Sequence, residues 1–431
     1  MYTPERLSVF FQQCPATAYL IAFSGGLDSH VLLHSAAQLR AVHPHLNLRA
    51  VHVDHGLQTP SVGWARHCRQ VCEKLAVPFA CEHLKLKPVL GESVEAAART
   101  ARYAAFTRHL RSGEMLLTAH HRNDQAETLL LHLVRGSGVD GLAAMPEVRT
   151  FALGRLGRPL LAFTRQDLQA YADLHQLDYV EDPSNQDVRF DRNYLRRRVM
   201  PVLEERWPSV ADTLARAARL QRESRELLHG FLGARLPELQ GSRTGTLSVS
   251  RLLAQDVVLR KALLREWLAQ QGFERPEEQK LLHVISDLLH AREDAEPCVK
   301  WHGCEIRRYR DDVYALKPLP PHDVTKVLVW GDISQPLRVP SLDLTLQPEV
   351  LGEWQEYLQA NPASVTVRFR QGGESVCIPY RGGHHSLKNL LQEAAIPPWE
   401  RLRLPLVYVG EWLVYMPGVL SLQPRHVASK H

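Results

Sequence analysis

The residues of this sequence that are best suited to chemistry lie in a few short segments, and the clearest is a glycine-rich loop near the amino terminus. An apolar run at residues 18–23 leads directly into Ser24, Gly25, Gly26, Leu27, Asp28 and Ser29. Paired glycines let a backbone approach an anion closely, and the N–H groups at the start of a helix stabilise a phosphate. The hydroxyl groups add donors, and an aspartate oxygen suits Mg²⁺. The segment therefore predicts a phosphate-binding loop.

A second segment combines acids with histidines. Residues 118–128 read TAHHRNDQAET and space His120, Asp124 and Glu127 at i, i+4 and i+7, on one face of a predicted helix. Clustered acids and a histidine suit Mg²⁺ binding and general-base catalysis. An acidic cap at a helix N-terminus is the alternative interpretation of the same residues.

Two further segments are basic. Residues 95–103 carry Arg99 and Arg102 near the start of a predicted helix. Residues 181–201 carry five arginines with aromatic residues interleaved, and Arg192, Asn193 and Arg196 lie among them. Because arginine binds phosphate bidentately and stacks on bases, this pattern favours contact with RNA. A solvated basic helix face is the alternative for both segments.

These segments are attached to an α/β pattern. Short apolar runs of strand length occur at residues 19–23, 48–53, 77–82 and 115–119. Apolar residues recur at helical spacing at residues 29–40, 61–75, 93–110 and 124–134. Such alternation indicates right-handed βαβ units, so the expected fold class is α/β with a Rossmann-like parallel sheet. Ligands bind at the carboxyl edge of such sheets, where these segments begin.

Beyond residue 207 the pattern changes. Residues 210–232 and 257–289 are rich in Leu, Ala, Glu and Arg and predict helices, whereas three prolines within residues 318–321 indicate a linker. The remainder is rich in strand and turn signals, for example at residues 365–370. We predict three domains, namely a catalytic α/β domain at residues 1–206, a helical domain at 207–320 and a small α+β domain at 321–431.

Composition limits the class of protein. Of the 431 residues, 45% are hydrophobic and 23% are charged, which is typical of a globular protein. The net charge of +5 is compatible with a polyanionic partner without requiring one. No run approaches the roughly 18 apolar residues of a membrane span, and the amino terminus has no secretory signal pattern. The seven sparse cysteines do not indicate a disulfide framework. We expect a cytoplasmic enzyme.

The glycine-rich loop resembles the signature of the PP-loop pyrophosphatases, which cleave ATP to AMP and pyrophosphate. Together with HVDHGL at residues 52–57 and the three segments above, in this order, it resembles the tRNA(Ile)-lysidine synthetase family. RGSGVDGL at 135–142, RPLL at 158–161 and residues 368–418 fit the same family, so the resemblance covers essentially the whole chain. One departure is Asn123, which stands where the family often has the first of two adjacent acids.

This resemblance implies ATP-dependent attachment of L-lysine to carbon 2 of the wobble cytidine in the isoleucine tRNA with anticodon CAU. An adenylated cytidine would be the intermediate, and AMP and pyrophosphate would be released. The ATP phosphates would lie at residues 24–29, and Mg²⁺ would bind Asp28 and Asp124. The resemblance assigns catalysis to Asp28, His120, Asp124 and Glu127, and contact with tRNA to Arg99, Arg102, Arg192, Asn193 and Arg196. The second and third domains would bind the tRNA body, with no membrane partner, and a homodimer is common in the family.

Two other functions stay open at this stage. A tRNA thiolase would use the same kind of loop to adenylate a base, but it needs a reactive cysteine pair or an iron–sulfur cluster. Cys68 and Cys72 are four residues apart and no C-x-x-C occurs, which favours buried structural cysteines. A catalytically inactive RNA-binding protein would keep the fold, yet it would not need Asp28, Asp124 and Glu127.

Overall fold

The computed structural model of the chain describes residues 2–54, 61–84, 94–292, 295–378 and 383–424. The chain forms two compact units, Met1–Gly230 and Phe231–His431. Each unit is built around its own buried apolar clusters. Residues 55–57 of the HVDHGL segment lie outside the described residues.

The first unit is built on a six-stranded sheet of order β3-β2-β1-β4-β6-β5, in which only β5 runs antiparallel to its neighbour. The expected parallel sheet is thus confirmed, and the antiparallel pairing of the edge strand β5 with β6 is an addition to it. The strands of this sheet are β1 (Tyr19–Ala22), β2 (Leu48–Asp54), β3 (Phe79–His83), β4 (Met115–Leu117), β5 (Val148–Phe151) and β6 (Gly154–Gly157).

Helices connect and cover these strands. They are α1 (Pro4–Gln13), α2 (Leu27–Val42), α3 (Ser61–Lys74), α4 (Val94–His109), α5 (Arg122–Val134), α6 (Val139–Leu142), α7 (Arg165–Leu174), α8 (Asp191–Tyr194), α9 (Met200–Arg206) and α10 (Val210–Arg235). A π-helical turn, Leu195–Val199, joins α8 to α9.

The sheet is covered on both faces because its strands alternate their side chains. Tyr19 and Ile21 of β1 pack on one side, in the cluster that includes residues of α1, α2, α3 and α7. Leu20, between them, packs on the opposite side with Phe106 of α4. Cys68 and Cys72 of α3 are fully buried in the first cluster, as expected of structural cysteines.

The first unit extends beyond the domain boundary predicted near residue 207. The beginning of α10 packs against α5 and α9, where Ala126, Met200 and Ala211 form a small buried cluster. Arg222 of α10 also donates a hydrogen bond of 2.8 Å to the carbonyl oxygen of Met145. The division by compactness therefore falls at Gly230 and Phe231, within α10, while the three-domain division stays a prediction.

The second unit opens with an α+β portion. Its core joins Leu263 and Trp267 of one helix to Ile306 and Val313 of the sheet. The sheet is four-stranded and antiparallel, in the order β7-β10-β9-β8. The elements of this portion are β7 (Leu247–Ser248), α11 (Val249–Leu253), α12 (Val257–Gln270), α13 (Glu278–His283), β8 (Cys298–Trp301), β9 (Cys304–Tyr309) and β10 (Asp312–Leu316).

The last part of the second unit holds a five-stranded antiparallel sheet of order β11-β14-β17-β18-β19 and two separate hairpins. Its elements are β11 (Leu328–Val329), β12 (Leu337–Val339), β13 (Leu344–Leu346), α14 (Trp354–Ala360), β14 (Val365–Arg368), β15 (Ser375–Cys377), β16 (His384–Ser386), α15 (Leu387–Glu393), α16 (Pro398–Arg401), β17 (Leu406–Val409), β18 (Trp412–Met416) and β19 (Leu420–Ser421). The proline-rich stretch at residues 317–327 contains no helix or strand.

Two expectations for residues 207–320 need correction. The predicted helix at 257–289 is interrupted after Gln270, where Gly272 takes a φ of +79°, a conformation that ends a helix. The region also contains the β7-β10-β9-β8 sheet, because short strands in a helix-rich context carry little periodic signal. Among the described residues, no helix is long and apolar enough to cross a membrane.

Candidate functional site

The glycine-rich loop joins β1 to α2 at the carboxyl edge of the sheet. Gly25 has a φ of +87°, and a Cβ atom there would lie 2.9 Å from the Sγ atom of Cys68. Gly26 is the N-cap of α2, so the N–H groups of the first helical turn are directed toward the loop. A helix N-terminus reached through close-approaching glycines is a geometry that accommodates a phosphate.

Two serines stabilise this loop through hydrogen bonds within it. The Oγ atoms of Ser24 and Ser29 are 3.0 Å apart, and Ser29 donates a hydrogen bond of 2.9 Å to the carbonyl oxygen of Gly26. Ser29 and the side chain of Leu27 are buried, whereas Ser24 is exposed. Ser24 can therefore offer its hydroxyl group to a ligand, while Leu27 can offer only its main-chain N–H.

The histidine-rich segment begins α5 with a reciprocal cap. His121 is the N-cap residue, and its main-chain N–H donates to Asp124 Oδ2 at 2.9 Å. Its Nδ1 atom accepts the Asp124 N–H at 3.4 Å, which assigns the ring proton to Nε2. That Nε2 atom lies 3.4 Å from Asp124 Oδ2 and 3.7 Å from Asp28 Oδ2. The cap therefore links acids in the first turns of two different helices, α2 and α5.

His120 lies outside α5, which corrects the prediction that it shares a helical face with Asp124 and Glu127. The helix begins only at Arg122, because His121 caps it, and His120 stays in the connection from β4. Its Nδ1 atom is 2.9 Å from Thr118 Oγ1. Burial, together with the nearby Arg192 and Arg158 and against the opposing charge of Asp124, lowers the pKa of His120 to about 3. The imidazole is therefore neutral at physiological pH.

Two acids of α5 meet two arginines of the α8–α9 segment. Asp124 Oδ1 accepts hydrogen bonds from Nη2 of both Arg192 and Arg196, each at 2.9 Å. The Glu127 carboxylate accepts from Nε of Arg192 at 2.9 Å and from Nε of Arg196 at 2.7 Å. Both acids are buried. We call these four residues the acid–arginine cluster; four charges of balanced sign stabilise one another there.

Electrostatics within the acid–arginine cluster keep Asp124, Arg192 and Arg196 ionised. Burial alone would raise the pKa of Asp124, but His121 and the two arginines outweigh it and hold that pKa well below its usual range. Burial lowers the pKa of Arg192 and Arg196, yet the two acids outweigh it and raise both values. Arg196 lies on the π-helical turn, a rare geometry that is frequent at functional sites.

Asp28 is less completely paired than the cluster acids. Its Oδ2 atom is 3.5 Å from Nη1 of Arg165, and its buried Oδ1 atom has no hydrogen-bond partner among the described residues. Burial raises the pKa of Asp28, an effect that His121 and Arg165 partly oppose. An orphaned carboxylate oxygen beside a phosphate-type loop fits a divalent cation. Asp124 fits one less well, because both of its oxygens are already engaged.

The other residues predicted to contact RNA do not join the acid–arginine cluster. Arg99 and Arg102 are exposed on α4, and the Arg99 guanidinium lies 5.1 Å from the centre of the Tyr103 ring. Asn193 instead supports its own segment, since its Nδ2 atom donates at 3.0 Å to the carbonyl oxygens of Ser184 and Asp187. The amide of Asn193 therefore holds a loop, while Arg192 and Arg196 on either side of it reach the buried acids.

Known proteins match this chain over nearly all of its length. The chain matches three protein-family models, described as a PP-loop domain (residues 2–203), the TilS substrate binding domain (247–314) and the TilS substrate C-terminal domain (365–427). A tRNA(Ile)-lysidine synthase from Coxiella burnetii is 41% identical over 97% of this chain and 92% of its own length. The chain belongs to the tRNA(Ile)-lysidine synthase family.

Two more relatives of the tRNA(Ile)-lysidine synthase family are similar at the same level. The protein of that name from Shigella flexneri is 44% identical over 94% of this chain and 92% of its own length. The one from Alkalilimnicola ehrlichii is 42% identical over 93% of this chain and 89% of its own length. The match to the PP-loop family model over residues 2–203 identifies most of the first unit as an ATP-binding PP-loop domain.

Sequence reasoning missed three residues that this member of the tRNA(Ile)-lysidine synthase family places at the site. His121 was visible as the second histidine of the pair, but its role as a cap was not. Arg165 approaches Asp28, and its main-chain N–H donates to Oδ1 of Asn123 at 3.1 Å. Asn123, the departure from the usual acid, thus accepts a hydrogen bond at the start of α7. Arg158, at the end of β6, is the third, and it had no local signal beyond the RPLL match.

Proposed function

We propose that this protein attaches L-lysine to carbon 2 of the wobble cytidine in the isoleucine tRNA with anticodon CAU, with ATP as the cosubstrate. The observation that carries this proposal is the match to tRNA(Ile)-lysidine synthases at 41–44% identity over most of the chain, including both TilS-specific domains. The product, lysidine, would pair with adenine and change the codon specificity of the tRNA from AUG to AUA.

In the first step, the cytidine oxygen on carbon 2 would attack the α-phosphorus of ATP and pyrophosphate would leave. Residues 24–29 would hold the phosphates, with Ser24 and the main-chain N–H groups of Gly26 and Leu27 as donors. Asp28, through its orphaned Oδ1 atom, would hold Mg²⁺. When bound, Mg²⁺ neutralises charge on phosphate oxygens.

In the second step, the lysine ε-amine would attack carbon 2, the bond to the adenylated oxygen would break, and AMP would leave. An ammonium group cannot act as a nucleophile, so a proton must first be removed. Asp124 stays ionised beside Arg192 and Arg196, and it would hold the ammonium group once substrate displaces part of that pairing. We propose Glu127 and Asp124 together as the acids that orient the amine and take part in its deprotonation, with the neutral His120 beside them.

The remaining assignments complete the proposal. Arg99 and Arg102, exposed on α4, would contact the tRNA near the flipped-out cytidine, as would Arg192 and Arg196 once substrate displaces part of their pairing. The domains at residues 207–320 and 321–431 would bind the tRNA body. A cytoplasmic location and a homodimer are the further expectations that follow from the family.

One assay tests the proposal directly. Purified protein with ATP, labelled lysine and a CAU-anticodon isoleucine tRNA should incorporate one lysine per tRNA and release AMP and pyrophosphate in equal amounts. The matched control is the same tRNA with uridine at the wobble position, which should accept no lysine. Pyrophosphate release that does not depend on tRNA, or lysine incorporation into both RNAs, would contradict the proposal.

The same assay separates the thiolase alternative. Labelled sulfur should not enter the RNA, because burial raises the pKa of both candidate thiols, that of Cys72 to about 12, and a buried thiol is a poor nucleophile. Sulfur incorporation in place of lysine would overturn the proposed function.

A further inference from the structure

The end of β6 carries a buried arginine that the proposed mechanism does not use. Arg158 directly follows Gly157, the last residue of β6, and β6 pairs in parallel with β4. The carbonyl oxygen of Gly157 accepts the N–H of Thr118 at 3.0 Å, so Arg158 and the Thr118–His120 connection leave the sheet side by side. Arg158 therefore lies at the same carboxyl edge as the candidate site.

The Arg158 guanidinium is enclosed but incompletely partnered. The residue is only 4% exposed. Its Nη1 atom donates to the carbonyl oxygen of Pro146 at 2.7 Å, while its buried Nε–H has no hydrogen-bond acceptor among the residues that the structure describes. No carboxylate in the described part of the chain pairs with it. A buried cation without a counter-ion is costly, which points to an anion that the chain itself does not supply.

The surroundings of Arg158 add positive charge. Tyr103 lies near its guanidinium, and Arg99 and Arg149 place theirs 5.1 Å and 5.9 Å from the centre of the Tyr103 ring. Neither Arg99 nor Arg149 has an acidic partner among the described residues. We call Arg99, Arg149, Arg158 and Tyr103 the Tyr103 cluster. Burial, Arg149 and Arg99 lower the pKa of Arg158 to about 10, with Tyr103 opposing them, so it remains cationic at neutral pH.

His120 connects the Tyr103 cluster to the acid–arginine cluster. Its imidazole interacts electrostatically with Asp124 and Arg192 of the acid–arginine cluster and with Arg158 and Arg99 of the Tyr103 cluster. Asp28, beside the phosphate-type loop, interacts instead with His121, Arg165 and Arg196. The Tyr103 cluster and the acid–arginine cluster thus both adjoin His120, whereas Asp28 adjoins His121.

We propose that Arg158, supported by Tyr103, binds the α-carboxylate of the lysine substrate. This inference rests on the proposed function, which makes lysine the second substrate. L-Lysine needs a cation for its carboxylate and an acid for its side-chain ammonium group, and the two clusters that adjoin His120 offer one of each. A planar guanidinium matches a carboxylate bidentately, and a site this enclosed admits a small carboxylate more readily than a phosphodiester within an RNA chain.

The test compares L-lysine with cadaverine, which has the same ε-amine but no carboxylate. The wild type should prefer L-lysine, and Arg158→Met should raise the KM for L-lysine about 30-fold while leaving the KM for cadaverine within about twofold. Arg158→Lys keeps the charge without the planar fork and should give an intermediate KM. Arg155→Gln is the matched control: Arg155 lies on the same strand and donates to the carbonyl oxygen of Pro15, so its substitution should leave both KM values unchanged.

A second readout separates binding from misfolding and from RNA contact. Exchange of labelled pyrophosphate into ATP in the presence of tRNA, without lysine, reports the adenylation step alone. We expect Arg158→Met to retain this exchange with unchanged KM for ATP and tRNA. A parallel rise in the KM for tRNA would assign the subsite to an RNA phosphate and overturn the proposal. Loss of exchange in both Arg158→Met and Arg158→Lys would overturn it too, since it would make Arg158 structural.

The two proposals fail in different ways. A wild-type protein that exchanges pyrophosphate but transfers no lysine would contradict the proposed function, and the subsite with it. A wild type that transfers lysine, and whose preference for L-lysine over cadaverine survives Arg158→Met, would contradict the carboxylate subsite alone.

Discussion

The arginines of the two clusters that adjoin His120 differ in whether the protein supplies their counter-ions. Arg192 and Arg196 each form ion pairs with two buried acids of the same chain, so the protein itself neutralises their positive charge. Arg158 and Arg99 have no acid among the described residues, although Arg158 is the most buried of the four. The first arrangement fixes the two acids that we propose for catalysis, and the second leaves a buried cation without a counter-ion among the described residues. The presence or absence of a counter-ion in the protein thus determines whether an arginine is available to bind an anionic ligand.

The largest effect should come from removing an acid of the acid–arginine cluster. Asp124→Ala should reduce the rate of lysine transfer by about 10³-fold, since it removes an acid proposed to orient the amine and leaves two arginines misplaced. Binding of tRNA, measured by filter retention, should change little, because most of the RNA contact is proposed to lie elsewhere. Loss of tRNA binding to the same degree would make Asp124 structural and weaken the contrast between the clusters.

Stability should separate the two pairs of arginines. Arg192→Met with Arg196→Met leaves Asp124 and Glu127 buried without counter-ions, which should lower the free energy of unfolding by about 4 kcal/mol. Arg99→Met with Arg158→Met removes cations that have no acid partner and should lower it by about 1 kcal/mol, mainly through the lost hydrogen bond to Pro146. Urea denaturation measures both. Equal losses in the two double variants would show that the Tyr103 cluster is internally compensated.

The pH dependence of stability should reveal the neutral state of His120, the residue that joins the clusters. Its pKa is lowered to about 3 in the folded chain, against about 6.5 when unfolded. As pH falls from 7 to 5, the unfolded chain binds a proton that the folded chain does not, so stability should fall by about 1–2 kcal/mol. The His120→Asn variant should lose this part of the dependence of stability on pH, measured by thermal unfolding at pH values from 7 to 5. A slope unchanged by this substitution would mean that His120 is protonated in the folded protein.

The smallest effects should come from substitutions at Asn123, which contacts Arg165. Arg165 is intermediate between the two clusters, because it has a single acid near it, Asp28, at 3.5 Å. Asn123→Asp keeps an acceptor for the Arg165 N–H at the start of α7 and should leave the KM for ATP within about twofold. Asn123→Ala removes the acceptor and should raise that KM about fivefold, because Arg165 loses its position beside Asp28. A larger defect for Asp than for Ala would indicate that an added negative charge disturbs Asp28.

Much of the first unit could be predicted because its signals are local. The four strand-length apolar runs became β1 to β4, and the glycine pair marked the turn into α2 where one glycine takes a positive φ. The helix predicted at 257–289 failed at a single glycine, and the β7-β10-β9-β8 sheet was missed because its strands are short and pair across distant parts of the sequence. Periodicity reports an element's own burial and says little about its partners.

The sequence by itself determined the α/β class, the phosphate-type loop and the presence of acids, histidines and arginines in a particular order. These follow from residue type and spacing, which act over a few positions along the chain. Only the tertiary structure decided which charges are paired. Arg192 and Arg196 meet Asp124 and Glu127 across 65 to 72 residues, and Arg158 meets none of them. Electrostatic pairing depends on distance in space and on burial, and neither can be derived from separation along the chain.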